Sequence, residues 1–113
     1  MQDRQYILEL CDEVIAKPSL RDHRLHFLRG ANGHRIALDA FYPALRLIVQ
    51  YRERDEAALP QDELTRYGVR VMELRMEEFA HAAGARLRRS RDSDIAVIRV
   101  RLAKALRRPG KWT

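Results

Sequence analysis

With Cys11 as its single cysteine, the chain has no means of forming an internal disulfide and falls short of a four-thiolate zinc site. It also lacks any unbroken apolar stretch of about 18 residues, so no segment reads as a membrane-spanning helix. Met1-Gln2-Asp3-Arg4 leads into an amphipathic pattern and not into the short apolar core of a secretory leader. A reducing cytoplasm is therefore the expected setting. Gly30 and Gly33 form no phosphate-cradling loop, because no helix start follows them, and nucleotide hydrolysis has no support. There is no internal repeat, low-complexity tract or heptad series.

What is present is a composition of 46% hydrophobic and 34% charged residues over 113 positions, which suits one globular domain. We expect that domain over residues 1–108 and a short tail over 109–113. A chain of this size buries about two-thirds of the surface its unfolded form exposes, which makes a second copy a candidate partner for any leftover apolar face. The net charge of +6 is unevenly placed. Ten of the 22 Lys and Arg, but only two of the 16 Asp and Glu, lie beyond residue 85. A basic end on a near-neutral body favours polyanions such as DNA, because contacts to phosphates release condensed counterions. Arg86, Arg88, Arg89 and Arg91 are the leading phosphate contacts, and the lack of interleaved aromatic residues favours backbone contact over base reading. A solvated helix face accounts for the same charge run without a partner.

The apolar periodicity predicts elements along the chain. Tyr6, Ile7, Leu10, Cys11, Val14 and Ile15 fall at helical spacing between Asp3 and Lys17-Pro18. Arg24 to Arg29 and His34 to Phe41 read as two strands joined at Asn32-Gly33, a step that favours a hairpin. Leu45 to Arg52 is the most strand-like stretch and completes an antiparallel meander. Pro60 suits the first turn of a short helix over Gln61 to Tyr67, ended by Gly68. Val69 to Leu74 reads as a fourth strand, with a helix over Met72 to Ala83 as the competing pattern. Ser90, Asp92, Ser93 and Asp94 supply capping groups for a C-terminal helix carrying Ile95, Ile98, Leu102 and Leu106, although Ile98 to Leu102 also alternates like a strand. The fold class is α+β, in the order helix, three strands, short helix, strand, helix.

One constellation carries chemistry. Asp39 lies near the end of the second strand, and Gln50 and Arg52 share one face of the third, because alternate strand residues point the same way. If the register brings Asp39 to that face, its carboxylate, the Gln50 side-chain oxygen and the Tyr51 backbone carbonyl present oxygens suited to Mg²⁺ or Mn²⁺. A cross-strand pairing of Asp39 with Ile48 aligns the faces, whereas pairing with Leu47 separates them unless a bulge intervenes.

The strings Leu38-Asp39-Ala40-Phe41-Tyr42-Pro43 and Leu47-Ile48-Val49-Gln50-Tyr51-Arg52 resemble the core of the PD-(D/E)xK nuclease superfamily, especially its small very-short-patch-repair-like branch. The resemblance spans roughly residues 3 to 106 and implies a restriction-endonuclease-like core and a metal-dependent DNA endonuclease. It places the metal-binding aspartate at Asp39, the second acid at Gln50 and the lysine at Arg52. The helix-one acid of some relatives would fall on Glu13. Two departures matter. An amide at Gln50 keeps an oxygen ligand but removes a charge, and Arg52 stabilises developing phosphate charge yet cannot transfer a proton. The alternative is a catalytically inactive member used as a DNA-binding or partner-binding module, and a third reading is an unrelated α+β interaction protein.

The remaining candidates are weaker by residue chemistry. His34 offers a base to orient water in the nuclease reading, against a plain surface histidine beside a turn. His23-x-x-His26, with His34 as a third histidine across the hairpin, would still need a fourth ligand or an open water position for zinc, has no cysteine near in sequence and fits known ligand spacings poorly. Cys11, Tyr42 and Tyr51 are expected to pack in the core.

Overall fold

A computed structural model describes residues 3–29, 35–53, 59–83 and 90–107. Helix α1 (Asp3–Ile15) leads into β1 (Leu20–Arg29), β2 (Arg35–Tyr42), a 3-10 turn (Pro43–Leu45) and β3 (Leu47–Arg52). Then come α2 (Gln61–Arg66), β4 (Arg70–Arg75), α3 (Met76–Ala83) and α4 (Arg91–Arg107). The four strands form one sheet in chain order, β1 to β3 antiparallel and β4 parallel to β3. The α+β class and the three-strand meander are thus as expected. The expected Asn32-Gly33 hairpin turn, most of the 53–59 loop and the C-terminal tail lie outside the described residues.

Alternation along β3 sorts the core into two layers. Leu47, Val49 and Tyr51 pack with Ala40, Tyr42, Met72 and Leu74 beneath α1, α3 and α4, where Ile7, Leu10, Cys11, Phe79 and Ile98 meet them. Ile48 points the other way, to Leu38, Leu59, Leu64, Phe41, Val69 and Val71 around α2. A central strand covered on both faces explains why this segment reads as a nearly continuous apolar run. Tyr42, Tyr51 and Cys11 are fully buried, as their packing role requires.

The boundaries differ from expectation where backbone geometry overrides pattern. The first strand starts at Leu20, four residues early: Asp22 takes φ 51°, which breaks the alternation that would have revealed it. The third starts at Leu47, because Pro43 opens a 3-10 turn that Arg46 closes in the left-handed region. Helix α3 has no counterpart in the expected order. It follows β4 without a loop, with Glu77 and Glu78 in its first turn where the helix dipole favours them. Both competing patterns over Met72 to Ala83 were real, one after the other. The C-terminal segment is helical, and its start is a reciprocal cap: the Ser93 N–H donates to Ser90 Oγ and the Ser90 N–H to Ser93 Oγ, each at 3.1 Å.

A polar staple joins α1 to the sheet. Asp12 accepts from Ser19 Oγ at 2.7 Å, from the Tyr42 hydroxyl and from Arg21. Partial burial pushes its carboxyl upward, but these hydrogen bonds and the Arg21 charge prevail and hold it below its ordinary value of 3.8. A depressed carboxyl stabilises the fold above its unfolded pKa and loses that contribution as pH falls through the folded value. The stability gap between the native chain and Asp12→Asn, followed by urea unfolding, is therefore expected to be constant above about pH 5 and to close in stronger acid.

Candidate functional site

The β2–β3 ladder has the favourable register, with Ala40 opposite Val49, Phe41 opposite Ile48 and Tyr42 opposite Leu47. One further step would set Asp39 against Gln50. Regular alternation breaks there instead: Leu38 packs in the α2 layer although Ala40, two positions on, packs in the other. Asp39 sits at this switch, beside Asp22 on β1, which the β1–β2 ladder skips between Arg21 and His23.

Side chains replace the missing ladder bonds. The Asp39 N–H donates to Gln50 Oε1 at 2.8 Å, and the Tyr51 N–H donates to Asp39 Oδ2 at 2.7 Å. The other carboxylate oxygen, Oδ1, accepts from Arg4 Nη1 on α1 at 3.0 Å. Arg4 also reaches Glu53, at 3.6 Å, and lies 5.8 Å from the centre of the Tyr51 ring, within cation–π range. Tyr51 is anchored in turn, its hydroxyl donating to Asp3 and its ring tilted against Phe79 at 6.2 Å. Asp39 is largely buried, with an 11% exposed side chain, so the Arg4 charge is held close in a medium that screens it poorly.

The structure thus brings Asp39 and Gln50 together and directs Arg52 elsewhere. The Arg52 guanidinium lies 3.1 Å from Glu73 Oε1, and Gln61 Nε2 donates to Glu73 Oε2 at 2.8 Å. Glu73 is the register partner of Gln50 across the parallel β3–β4 pair, which puts an acid next to the triplet. Glu73 borders a small cavity of about 270 Å³ shared with Gln61, Arg75, Glu78, Arg101 and Lys104.

The remaining expected residues are dispersed. Glu13 is exposed and ion-pairs with Arg91, which ties α1 to the start of α4. His23 stacks on Phe41 with centroids 5.5 Å apart. His34, Arg86, Arg88 and Arg89 lie outside the described residues. Burial, with the Asp12 carboxylate adding to it, pushes the Cys11 thiol up to about 12, which leaves it protonated and inert.

A divalent cation needs several oxygens with charge to spare. Here the one carboxylate of the triplet already meets a guanidinium and a backbone N–H, and the Gln50 oxygen is engaged by Asp39 itself. Among the described residues no group of three His, Cys, Asp or Glu is arranged to hold a metal ion. The donor set as it stands does not fit Mg²⁺. It fits a clamp in which Arg4 supplies the positive charge.

Sequence reasoning missed Arg4, Glu73 and Gln61. Arg4 is 35 positions from Asp39, and no local spacing reports that contact. Glu73 had one signal, an acid at a period-2 position inside an apolar strand. No family model, characterised protein or solved structure matches the chain. Within the described residues, no helix is long and apolar enough to cross a membrane.

The clamp makes a quantitative prediction. In a double-mutant cycle with Arg4→Met and Asp39→Asn, urea unfolding is expected to give a coupling of about 1–3 kcal/mol, as found for hydrogen-bonded charges in contact.

Proposed function

We infer that this chain is a DNA-contacting module with a restriction-endonuclease-like core, in which the Asp39, Gln50 and Arg52 triplet serves as structure and hydrolysis is lost. Support for the core comes from element order: a helix, an antiparallel meander carrying Asp39 and Gln50-Tyr51-Arg52, a helix, and a further strand parallel to β3. Support for the loss comes from the pairing of Asp39 with Arg4 and of Arg52 with Glu73. The second pairing opposes a phosphate-stabilising role for Arg52, since the guanidinium would have to leave one anion to meet another. A cytoplasmic setting suits the lone buried thiol.

The observation that carries DNA contact is the outer face of α4. Arg99, Lys104 and Arg107 are exposed there, and at 100° per residue they fall within about 140°, opposite the buried Ile98 and Ala105. Arg91 and Arg101 are tied to Glu13 and Glu78, so they belong to the scaffold more than to this face. Lys104 also borders the cavity beside Glu73, which joins the basic face to the triplet end of the sheet. Exposed lysine and arginine on one face of a helix that carries no aromatic residue of its own to stack on bases suit phosphate contacts that ignore sequence.

Two measurements test this reading. The affinity for a short DNA duplex should fall with salt, and changing Arg99, Lys104 and Arg107 to alanine should flatten the log–log slope by about 0.9 for each phosphate contact removed. An unchanged slope would contradict it. Plasmid incubated with the protein and Mg²⁺ or Mn²⁺ should stay intact; nicking that disappears in Asp39→Ala would establish the hydrolytic alternative instead.

A further inference from the structure

At the end of the sheet opposite the triplet, the chain places two arginines side by side in an unusual way. Arg46 follows the Pro43–Leu45 turn with φ 48° and ψ 46°, a left-handed conformation that glycine or asparagine adopts far more readily. Its carbonyl accepts the Arg70 N–H at 2.8 Å, which fixes the start of β4 beside the start of β3. Arg70 is also the register partner of Leu47, the residue after Arg46. Two cations are therefore held on adjacent backbone positions by a strained turn.

The other adjacent arginine pair of the same two strands, Arg52 and Arg75, has Glu73 to offset its charge. Arg46 and Arg70 have no acidic partner among the described residues. Arg46 lies just outside the ladder, but its backbone bond to Arg70 brings two like charges to neighbouring positions, and the strain at Arg46 adds to the cost of that arrangement. The two arginines instead line a cleft of about 510 Å³ with Pro43, Ala44, Leu45 and Gly68, and none of the six is an acid. Gly68, at φ 72°, ends α2 with the conformation glycine takes without penalty and contributes no side chain to fill the space.

We propose that the Arg46–Arg70 cleft is a binding site for a phosphate group. The guanidinium planes supply the charge-assisted donors that phosphate oxygens accept, and a bound dianion relieves the repulsion between them. The left-handed turn is the device that keeps Arg46 over the cleft. This site is separate from the basic face of α4 and does not depend on the reading given to that face.

The test uses the whole chain and thermal unfolding at fixed ionic strength, with inorganic phosphate replacing chloride. Phosphate should raise the melting temperature in a saturable manner, as a ligand of the native state does. Arg46→Gly removes the strain while deleting one guanidinium: it should melt at or above the native temperature in chloride and show phosphate affinity weakened by about tenfold or more. Arg70→Gln should weaken phosphate comparably, and the alanine variants of Arg99, Lys104 and Arg107 should leave the phosphate increment unchanged. Oligonucleotides of one sequence, with and without a 5′-phosphate, identify the source. A preference for the phosphorylated strand indicates a terminal monoester, and equal binding that Arg46→Gly weakens indicates the diester backbone; both support the site. No phosphate increment over chloride, or an increment that survives in both Arg46→Gly and Arg70→Gln, would overturn it.

Discussion

Where β2 and β3 stop exchanging backbone bonds, the carboxylate of Asp39 takes over, and the geometry of that end of the sheet depends on it. One oxygen accepts the Tyr51 N–H, the other meets the Arg4 guanidinium, and the Asp39 N–H is satisfied by Gln50. Three elements, α1, β2 and β3, are joined through a single side chain. A buried carboxylate is tolerable in such a position because its charge is matched and its lone pairs are used. Arg4 in turn lies over Tyr51, whose hydroxyl returns to α1 through Asp3, so the contact closes into a ring of interactions.

That closure is what the proposed loss of hydrolysis rests on. Asp39 and Gln50 are adjacent, as a metal site would require, yet the cation between α1 and the sheet is a guanidinium of the chain itself. The neighbouring β3–β4 pair repeats the logic with Arg52, Glu73 and Gln61. Acids and bases at this end of the sheet neutralise one another, whereas Arg99, Lys104 and Arg107 outnumber the single exposed acid of their helix, Asp92, and the Arg46–Arg70 cleft is lined by no acid. In the proposed reading, anions meet the chain away from the triplet, at the surface. A break in strand alternation at Asp39 and Asp22 gives the triplet end its irregular shape, and a left-handed arginine does the same at the other end.

Much of the frame was legible from residue order. The stripe of α1, the strand character of β3 and the capping serines of α4 follow from short-range spacing, which reports faces and ends, whereas the approach of Asp39 to Gln50 depended on a register that spacing left open. The break at Asp22 hid the start of β1, because the polar residues Arg21 to Arg24 carry no apolar run and a left-handed residue interrupts the alternation. Helix α3 was masked by its direct fusion to β4, where Met72 to Leu74 satisfy both periods. The contacts that determine the behaviour of the site were not legible at all. Arg4 with Asp39 and Arg52 with Glu73 join distant positions, and nothing in local pattern distinguishes a charged residue bound for solvent from one bound for a partner across the fold.

The central claim is that Arg4, and no metal ion, balances Asp39. Carboxyl-carbon and guanidinium NMR signals of the native chain, followed as MgCl₂ replaces NaCl at constant ionic strength, test it directly. The account predicts that neither the Asp39 carboxyl signal nor the Arg4 side-chain signal moves. A saturable shift of Asp39 accompanied by release of Arg4 would contradict it and return the triplet to metal chemistry.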